Sequence, residues 1–129
     1  TEVTMDLQEQ AQQFRHAYGC VNECANRGRQ LALIREEYLE FLEAHENFYD
    51  YENAEADCLK ELADLVYVCF QYAENLEWDL LEALRRVHES NMTKMGPDGK
   101  AIRNPDTGKV LKGPNYKPPH LDDLTNLIC

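Results

Sequence analysis

Ile34-Arg35-Glu36-Glu37-Tyr38-Leu39-Glu40-Phe41-Leu42, with Glu61-Leu62-Ala63-Asp64 separated from Glu40 by twenty residues, is the part of the chain that decides the fold. Side chains three or four apart share one face of a helix, so Glu36, Glu37 and Glu40 converge, and so do Glu61 and Asp64. The interval between the two groups carries Asn47, Asp50 and Asn53. It is long enough to finish one helix, turn, and start an antiparallel neighbour. Two acidic clusters are then expected to face each other.

Four or five carboxylates gathered in a helical bundle repel one another unless a cation sits among them. All-oxygen ligation, with no His or Cys interspersed, suits a hard divalent ion better than zinc, which points to Mg²⁺ with Mn²⁺ as a substitute. Mg²⁺ usually shares its coordination with substrate phosphates, so a carboxylate-only site implies a phosphate ester or anhydride as substrate. Taken alone, each acidic cluster is compatible with a solvated helix face. Their pairing favours a site.

Outward from this centre, the apolar period predicts four helices. Thr4 is the expected cap of a first helix that runs to about Tyr18, with Leu7, Ala11, Phe14 and Tyr18 on one face. Residues 19–27 either continue that helix or break it, and Gly28 punctuates the start of the next element. A second helix spans about 29–45, with Leu31, Ile34, Tyr38, Phe41 and Leu42 as its stripe. Glu36 lies opposite the stripe, Glu37 at its border and Glu40 between them; Leu33 and Ala44 share the edge of Glu37, which favours an interior role for Glu37 and Glu40. Phe48, Tyr49 and Tyr51 in the connection either cover a nucleobase or cap the bundle, with packing favoured.

A third helix, about 54–73, is apolar over a wide arc that includes Leu59, Leu62, Leu65, Val66, Cys69 and Phe70. A helix of that kind is buried on most sides, and in so short a chain this points to a subunit interface. Asp57 is either an extra ligand or, the favoured reading, a helpful charge near the helix start. Asp79 and Glu82 form a capping-box pattern for a fourth helix from Leu80 to about Lys94. Leu80, Leu84, Val87, Asn91 and Met95 line one stripe, which sets Asn91 on an apolar face. There it is either a satisfied core amide or a group that reaches the substrate or a water beside the metal. Lys94, one turn on, is placed to hold a phosphate as a point charge.

After Met95 the composition changes. Gly96-Pro97-Asp98-Gly99 and Pro105-Asp106-Thr107-Gly108 are turn sequences, and Ile102 and Val110 flank the second, so a small β-hairpin is expected. Lys100, Arg103, Lys109, Lys112 and Lys117 ride on this segment. It reads either as a bland basic loop or as a mobile lid over a triphosphate, with Lys112 and Tyr116 as the candidate contacts. No Walker-type glycine loop is present, so carboxylates and the basic segment must handle phosphate. Residues 121–129 form a short apolar tail that docks on the core or on a partner.

At 129 residues the chain is expected to be one all-α domain, 1–129, with a helical core at about 4–95 and a basic loop or hairpin at about 96–119. Net charge is −11 and unevenly spread: residues 1–93 hold 7 basic and 20 acidic side chains, whereas 94–117 hold 6 basic and 2 acidic. An acidic body argues against nonspecific binding of nucleic acid or membrane, while the basic segment suggests a local anion site. Five cysteines, Cys20, Cys24, Cys58, Cys69 and Cys129, give an odd count with no Cys-x-x-Cys pair. That pattern predicts free thiols and a reducing, cytoplasmic setting. His16, Cys20 and Cys24 fall at helical spacing, but no fourth ligand accompanies them. No signal-peptide pattern or membrane-length apolar run is present, so a soluble protein is expected.

Glu-Glu-x-x-Glu followed by Glu-x-x-Asp, here Glu36, Glu37, Glu40, Glu61 and Asp64, resembles the signature of the all-α nucleoside triphosphate pyrophosphohydrolases. That group includes MazG-like proteins, dimeric dUTPases, dCTP pyrophosphatases and phosphoribosyl-ATP pyrophosphohydrolases. Val87-His88-Glu89-Ser90-Asn91-Met92-Thr93-Lys94-Met95, with Gly113-Pro114-Asn115-Tyr116, looks like the short MazG-like proteins of phages and mobile elements. The resemblance spans about residues 29–119. It implies a four- to five-helix bundle that assembles as a homodimer or homotetramer and hydrolyses nucleoside triphosphates to monophosphate and pyrophosphate with Mg²⁺. It implies Glu37, Glu40, Glu61 and Asp64 as metal ligands, with Glu36 just outside the set as general base or as the group that orients the water. A phosphoribosyl nucleotide is the alternative substrate. A carboxylate-bridged di-iron bundle is disfavoured because neither cluster supplies Glu-x-x-His, and a noncatalytic module that binds a metal or a partner is the remaining alternative.

Overall fold

A computed structural model of the protein describes residues 4–125 and 129. The elements are α1 (Leu7–Ala17), α2 (Arg27–Glu46), α3 (Ala54–Asn75), α4 (Leu80–Asn91), β1 (Ile102–Arg103) and β2 (Val110–Leu111). Single 3₁₀ turns lie at Cys24–Asn26 and Asp122–Leu124. The fold is helical with one small antiparallel hairpin, as expected. The chain divides into two compact units, one running up to Leu80 and including Cys129, the other Leu81–Thr125.

In the first unit, α1 is capped by Asp6 and not by Thr4. Asp6 Oδ1 accepts from the Glu9 amide at 2.7 Å and the Glu9 carboxylate accepts from the Asp6 amide at 3.4 Å. This reciprocal box satisfies two otherwise orphaned amides, and Thr4 stands two residues too early to do so. The question left open by residues 19–27 is answered by Gly19, whose φ of 64° ends α1. The Gly19 amide donates to His16 O at 3.3 Å and the Cys20 amide to Arg15 O at 2.8 Å, the paired bonds of a left-handed helix stop. Gly28 falls inside the first turn of α2 and terminates nothing. The same stop ends α3, with Glu77 N–H on Glu74 O at 3.0 Å and Trp78 N–H on Ala73 O at 2.9 Å. Here a glutamate, Glu77, holds φ 59°.

α2 and α3 form the largest helix–helix contact, and α1 packs on α3. Among the described residues the buried apolar set is small: Ala11, Ala54, Cys58, Phe70, Ala73 and Leu76. Much of the remaining apolar surface of α3 faces outward, with Leu59 67% exposed, Leu62 42% and Val66 40%, so the wide arc read from the sequence is only partly covered within one chain. Among the described residues no helix is long and apolar enough to cross a membrane.

A polar network ties the chain after α1 to the end of α3. Arg15 is 3% exposed and Asn75 0%. The Arg15 guanidinium donates to Asn22 Oδ1 at 2.6 Å, Val21 O at 3.2 Å and Asn75 Oδ1 at 3.1 Å, with a longer bond to Gln71 Oε1 at 3.4 Å. Asn75 closes the loop by accepting from the Glu23 amide at 3.2 Å and donating to the Glu23 carbonyl at 3.0 Å. The all-thiol reading is corrected next to this network: Cys24 is disulfide-bonded to Cys129, with Cα atoms 5.2 Å apart. Tertiary proximity pairs two cysteines 105 residues apart, and it also removes Cys24 from any metal set with His16 and Cys20. Cys20, Cys58 and Cys69 are free. The expected docking of the tail falls partly outside the described residues; within them, Cys129 is joined to Cys24.

In the second unit, α4 stops at Asn91, short of the expected Lys94. Asn91 is therefore an exposed last residue and not an amide set in an apolar face. Bonds between distant side chains and backbone fold the basic segment back on α4. Ser90 Oγ donates to Lys117 O at 2.7 Å, and Thr93 Oγ1 accepts from the Lys117 amide at 2.9 Å. Arg86 grips Asp123 with two bonds, at 2.6 and 3.0 Å. The hairpin pairs Ile102 with Leu111 and Arg103 with Val110. Its turn is set by Asn104 Oδ1, which accepts from the amides of Asp106 at 2.8 Å and Thr107 at 3.1 Å.

Candidate active site

The acidic face of α2 meets that of α3 with the lower number on one helix against the higher number on the other, as antiparallel helices require. Glu37, Glu61 and Asp64 each bring a carboxylate oxygen to within 4.8 Å of the other two. All three are half-buried. Glu40, also half-buried, lies close enough to Glu37 and Glu61 to raise the pKa of both, and completes the cluster. Glu36 points to the exposed side of α2, as its position opposite the apolar stripe requires.

Electrostatics mark this cluster as short of positive charge. Burial, the Glu40 hydrogen bond and the charges of Glu40, Asp64 and Glu61 together raise the pKa of Glu37 to about 7. Burial is the leading cause that raises Glu61, opposed by the nearby Lys60 ammonium and reinforced by Glu40. Glu37 Oε2 and Glu61 Oε2 are buried without a hydrogen-bond partner. Buried carboxylate oxygens left unpaired are costly, and a cation placed between them removes that cost. The donors are oxygen only, half-buried and convergent, so the residues fit a hard divalent cation.

Beside the cluster lies an open concavity of about 490 Å³ lined by Glu40, Glu43, Asn47, Tyr51, Lys60 and Glu61 among others. Lys60 Nζ is 2.7 Å from Asp64 Oδ2 and 3.5 Å from Glu61 Oε1. The sequence reading passed over Lys60, although its i,i+4 relation to Asp64 is a visible signal. Asp57 accepts a 2.6 Å hydrogen bond from the Tyr51 hydroxyl. Tyr51 therefore stands at the rim of the concavity, whereas Phe48 lines a separate apolar groove with Phe41, Leu59 and Leu62.

The residues expected to contact phosphate belong to the second unit. The Gly113 amide donates to Lys94 O at 3.0 Å, and the Tyr116 amide to Gly113 O at 3.2 Å, so the backbone gathers Lys94, Lys112 and Tyr116 around Gly113. The Lys112 ammonium lies over the Tyr116 ring, 4.8 Å from its centroid. Asn91 is joined to the same region through its carbonyl, which accepts from the Lys94 amide at 3.2 Å.

Residues 4–91 match the family model of phosphoribosyl-ATP pyrophosphohydrolase. The match takes in all four helices, the five signature acids and Asn91, and it ends before Lys94 and the basic segment. It begins earlier and ends earlier than the resemblance read from the motifs. No curated protein matches the chain. With two-thirds of its length matched, and the paired acids facing each other across α2 and α3, the chain belongs to the phosphoribosyl-ATP pyrophosphohydrolase family, within the MazG-like all-α NTP pyrophosphatase superfamily of nucleotide pyrophosphohydrolases.

Proposed function

We propose that the protein hydrolyses (deoxy)nucleoside triphosphates to the nucleoside monophosphate and pyrophosphate, with Mg²⁺ held by Glu37, Glu40, Glu61 and Asp64. The observation that carries this reading is the pair of buried, partnerless oxygens, Glu37 Oε2 and Glu61 Oε2, inside a cluster of oxygen donors. Mg²⁺ bound there would neutralise phosphate oxygens and acidify a water. The carboxylates of α2 and α3 fix that charge from two rigid helices, so that a substrate phosphate meets it without reorganisation. Glu36, exposed beside Glu37, takes the proton of the attacking water or orients that water. The new bond is water oxygen to phosphorus, the bond to the bridging oxygen breaks, and pyrophosphate leaves. Asn91 donates a hydrogen bond to the substrate, Lys94 and Lys112 supply positive charge to its phosphates, and Tyr116 keeps Lys112 in place.

A phosphoribosyl nucleotide is the second reading of the substrate, favoured by the family model that matches the chain. The outward apolar residues of α3, Leu59, Leu62 and Val66, support assembly as a homodimer or homotetramer, in which a second copy covers them. We take 1–129 as one functional domain. Turnover with Mg²⁺, scored for pyrophosphate against orthophosphate over the common NTPs, dNTPs and phosphoribosyl-ATP, tests the proposal: pyrophosphate from at least one substrate is expected, and orthophosphate alone would overturn it.

A further inference from the structure

Lys60 precedes Glu61 in α3, and its side chain, 66% exposed, bends back over the acidic face of its own helix. Its ammonium contacts Asp64 Oδ2 at 2.7 Å and Glu61 Oε1 at 3.5 Å. Two of the carboxylates best placed to hold a divalent cation thus already hold a cation supplied by the chain. It satisfies the cluster incompletely, because Glu61 Oε2 and Glu37 Oε2 remain without partners. A single positive charge on a flexible stem is mobile, and at this exposure its ion pair is weak. Lys60 also lines the open concavity with Asn47 and Tyr51, so a modest rotation of its stem carries the ammonium from the carboxylates to whatever anion enters there.

We propose that Lys60 is a movable counter-ion: it occupies Asp64 and Glu61 while no divalent cation is bound, is displaced when one binds, and then pairs with a phosphate of the substrate. This rests on the reading of Glu37, Glu61 and Asp64 as the cation site. Displacement turns the cost of releasing Lys60 into a requirement for both cation and phosphate, which couples their binding. Asp64 and Glu61 exchange a monovalent for a divalent partner, and the freed ammonium would otherwise stand unpaired close to that ion, repelled by it until a phosphate arrives.

Calorimetric titration of Mg²⁺ into the full chain, without nucleotide, separates the parts. Lys60→Gln removes the competitor and its repulsion, and is expected to bind Mg²⁺ about 3–10-fold more tightly than the unsubstituted protein; Lys60→Arg keeps the charge and stays within about twofold. A triphosphate analogue with an imido group at the α–β bridge, added at saturating Mg²⁺, is expected to bind Lys60→Gln about 5–10-fold more weakly, with Lys60→Arg restoring most of the loss. Unchanged or weaker Mg²⁺ binding in Lys60→Gln overturns the counter-ion role, and unchanged analogue affinity overturns the phosphate role. Failure of the underlying site reading looks different: the unsubstituted protein then binds no Mg²⁺, or Glu61→Ala binds it equally well, and Lys60 loses its role with the site.

Discussion

The amide of Gly113 donates to the carbonyl of Lys94 at 3.0 Å, and this bond closes the basic segment on itself where it leaves and rejoins the end of α4. Only a residue without Cβ fits, since a Cβ at 113 would stand 2.9 Å from Lys94 O and closer still to Met95 O. Gly113→Ala is expected to cost about 1–3 kcal/mol of stability, as overpacking against backbone does. It should also loosen residues 94–117. Hydrogen exchange checks this, with faster exchange expected there and little change in α1 to α3. An equally protected segment would show that the contact is dispensable.

Asn75 and Arg15 form the next test. Asn75→Ala withdraws an acceptor from a buried guanidinium and two bonds from Glu23, so a loss of about 2–3 kcal/mol is expected in denaturant unfolding. A loss below about 0.5 kcal/mol would mean that other groups take up the charge without cost.

The Cys24–Cys129 bond closes most of the chain into a covalent loop. Reduction, or Cys129→Ser, is expected to lower the unfolding free energy by about 2–4 kcal/mol, as is typical for a native disulfide. The check is a denaturation curve with and without reductant, and coincident curves would contradict the pairing.

The Glu37 carboxyl gives a pH dependence whose sign is fixed. Its pKa in the folded protein is raised from 4.5 to about 7 by burial and by its acidic neighbours, so the folded state binds this proton more tightly than the unfolded chain does. Without divalent cation, its contribution to stability is fully present below about pH 4.5 and is lost as pH rises through about 7. Compared with Glu37→Gln, the metal-free protein should therefore lose thermal stability on going from pH 5.5 to 8, and Mg²⁺ should restore it most at the higher pH. Equal melting profiles for the two proteins would contradict the raised pKa of Glu37.

What the sequence disclosed and what it hid divide along the range of the interaction. Period and spacing found α2, α3 and the meeting of Glu37 with Glu61 and Asp64, because those depend on helix geometry and one short connection. The turn residues around Asn104 announced the hairpin. Asp6 and Glu9 have the spacing of a capping box, and that reciprocal pair, which Thr4 lacks, caps α1. Asn91 is exposed because α4 ends there, whereas the apolar period of Leu80, Leu84 and Val87, followed on to Met95, sets it on a buried stripe. The Arg15–Asn75 network and the Cys24–Cys129 bond join residues far apart in the chain, and no local pattern encodes such pairs. Lys60 carries a local signal in its i,i+4 spacing from Asp64, but that spacing is common to ordinary surface ion pairs, and only the 2.7 Å contact of its ammonium with Asp64 ties it to the acidic cluster.

The strongest test of the acidic pair across α2 and α3 as the seat of hydrolysis is single-turnover analysis of the products formed with Mg²⁺ by the unsubstituted protein and by Glu61→Ala. Equimolar nucleoside monophosphate and pyrophosphate from the former, with a drop of at least about 100-fold and weakened Mg²⁺ binding in the latter, is the predicted result. Undiminished pyrophosphate release by a folded Glu61→Ala protein would place the chemistry elsewhere.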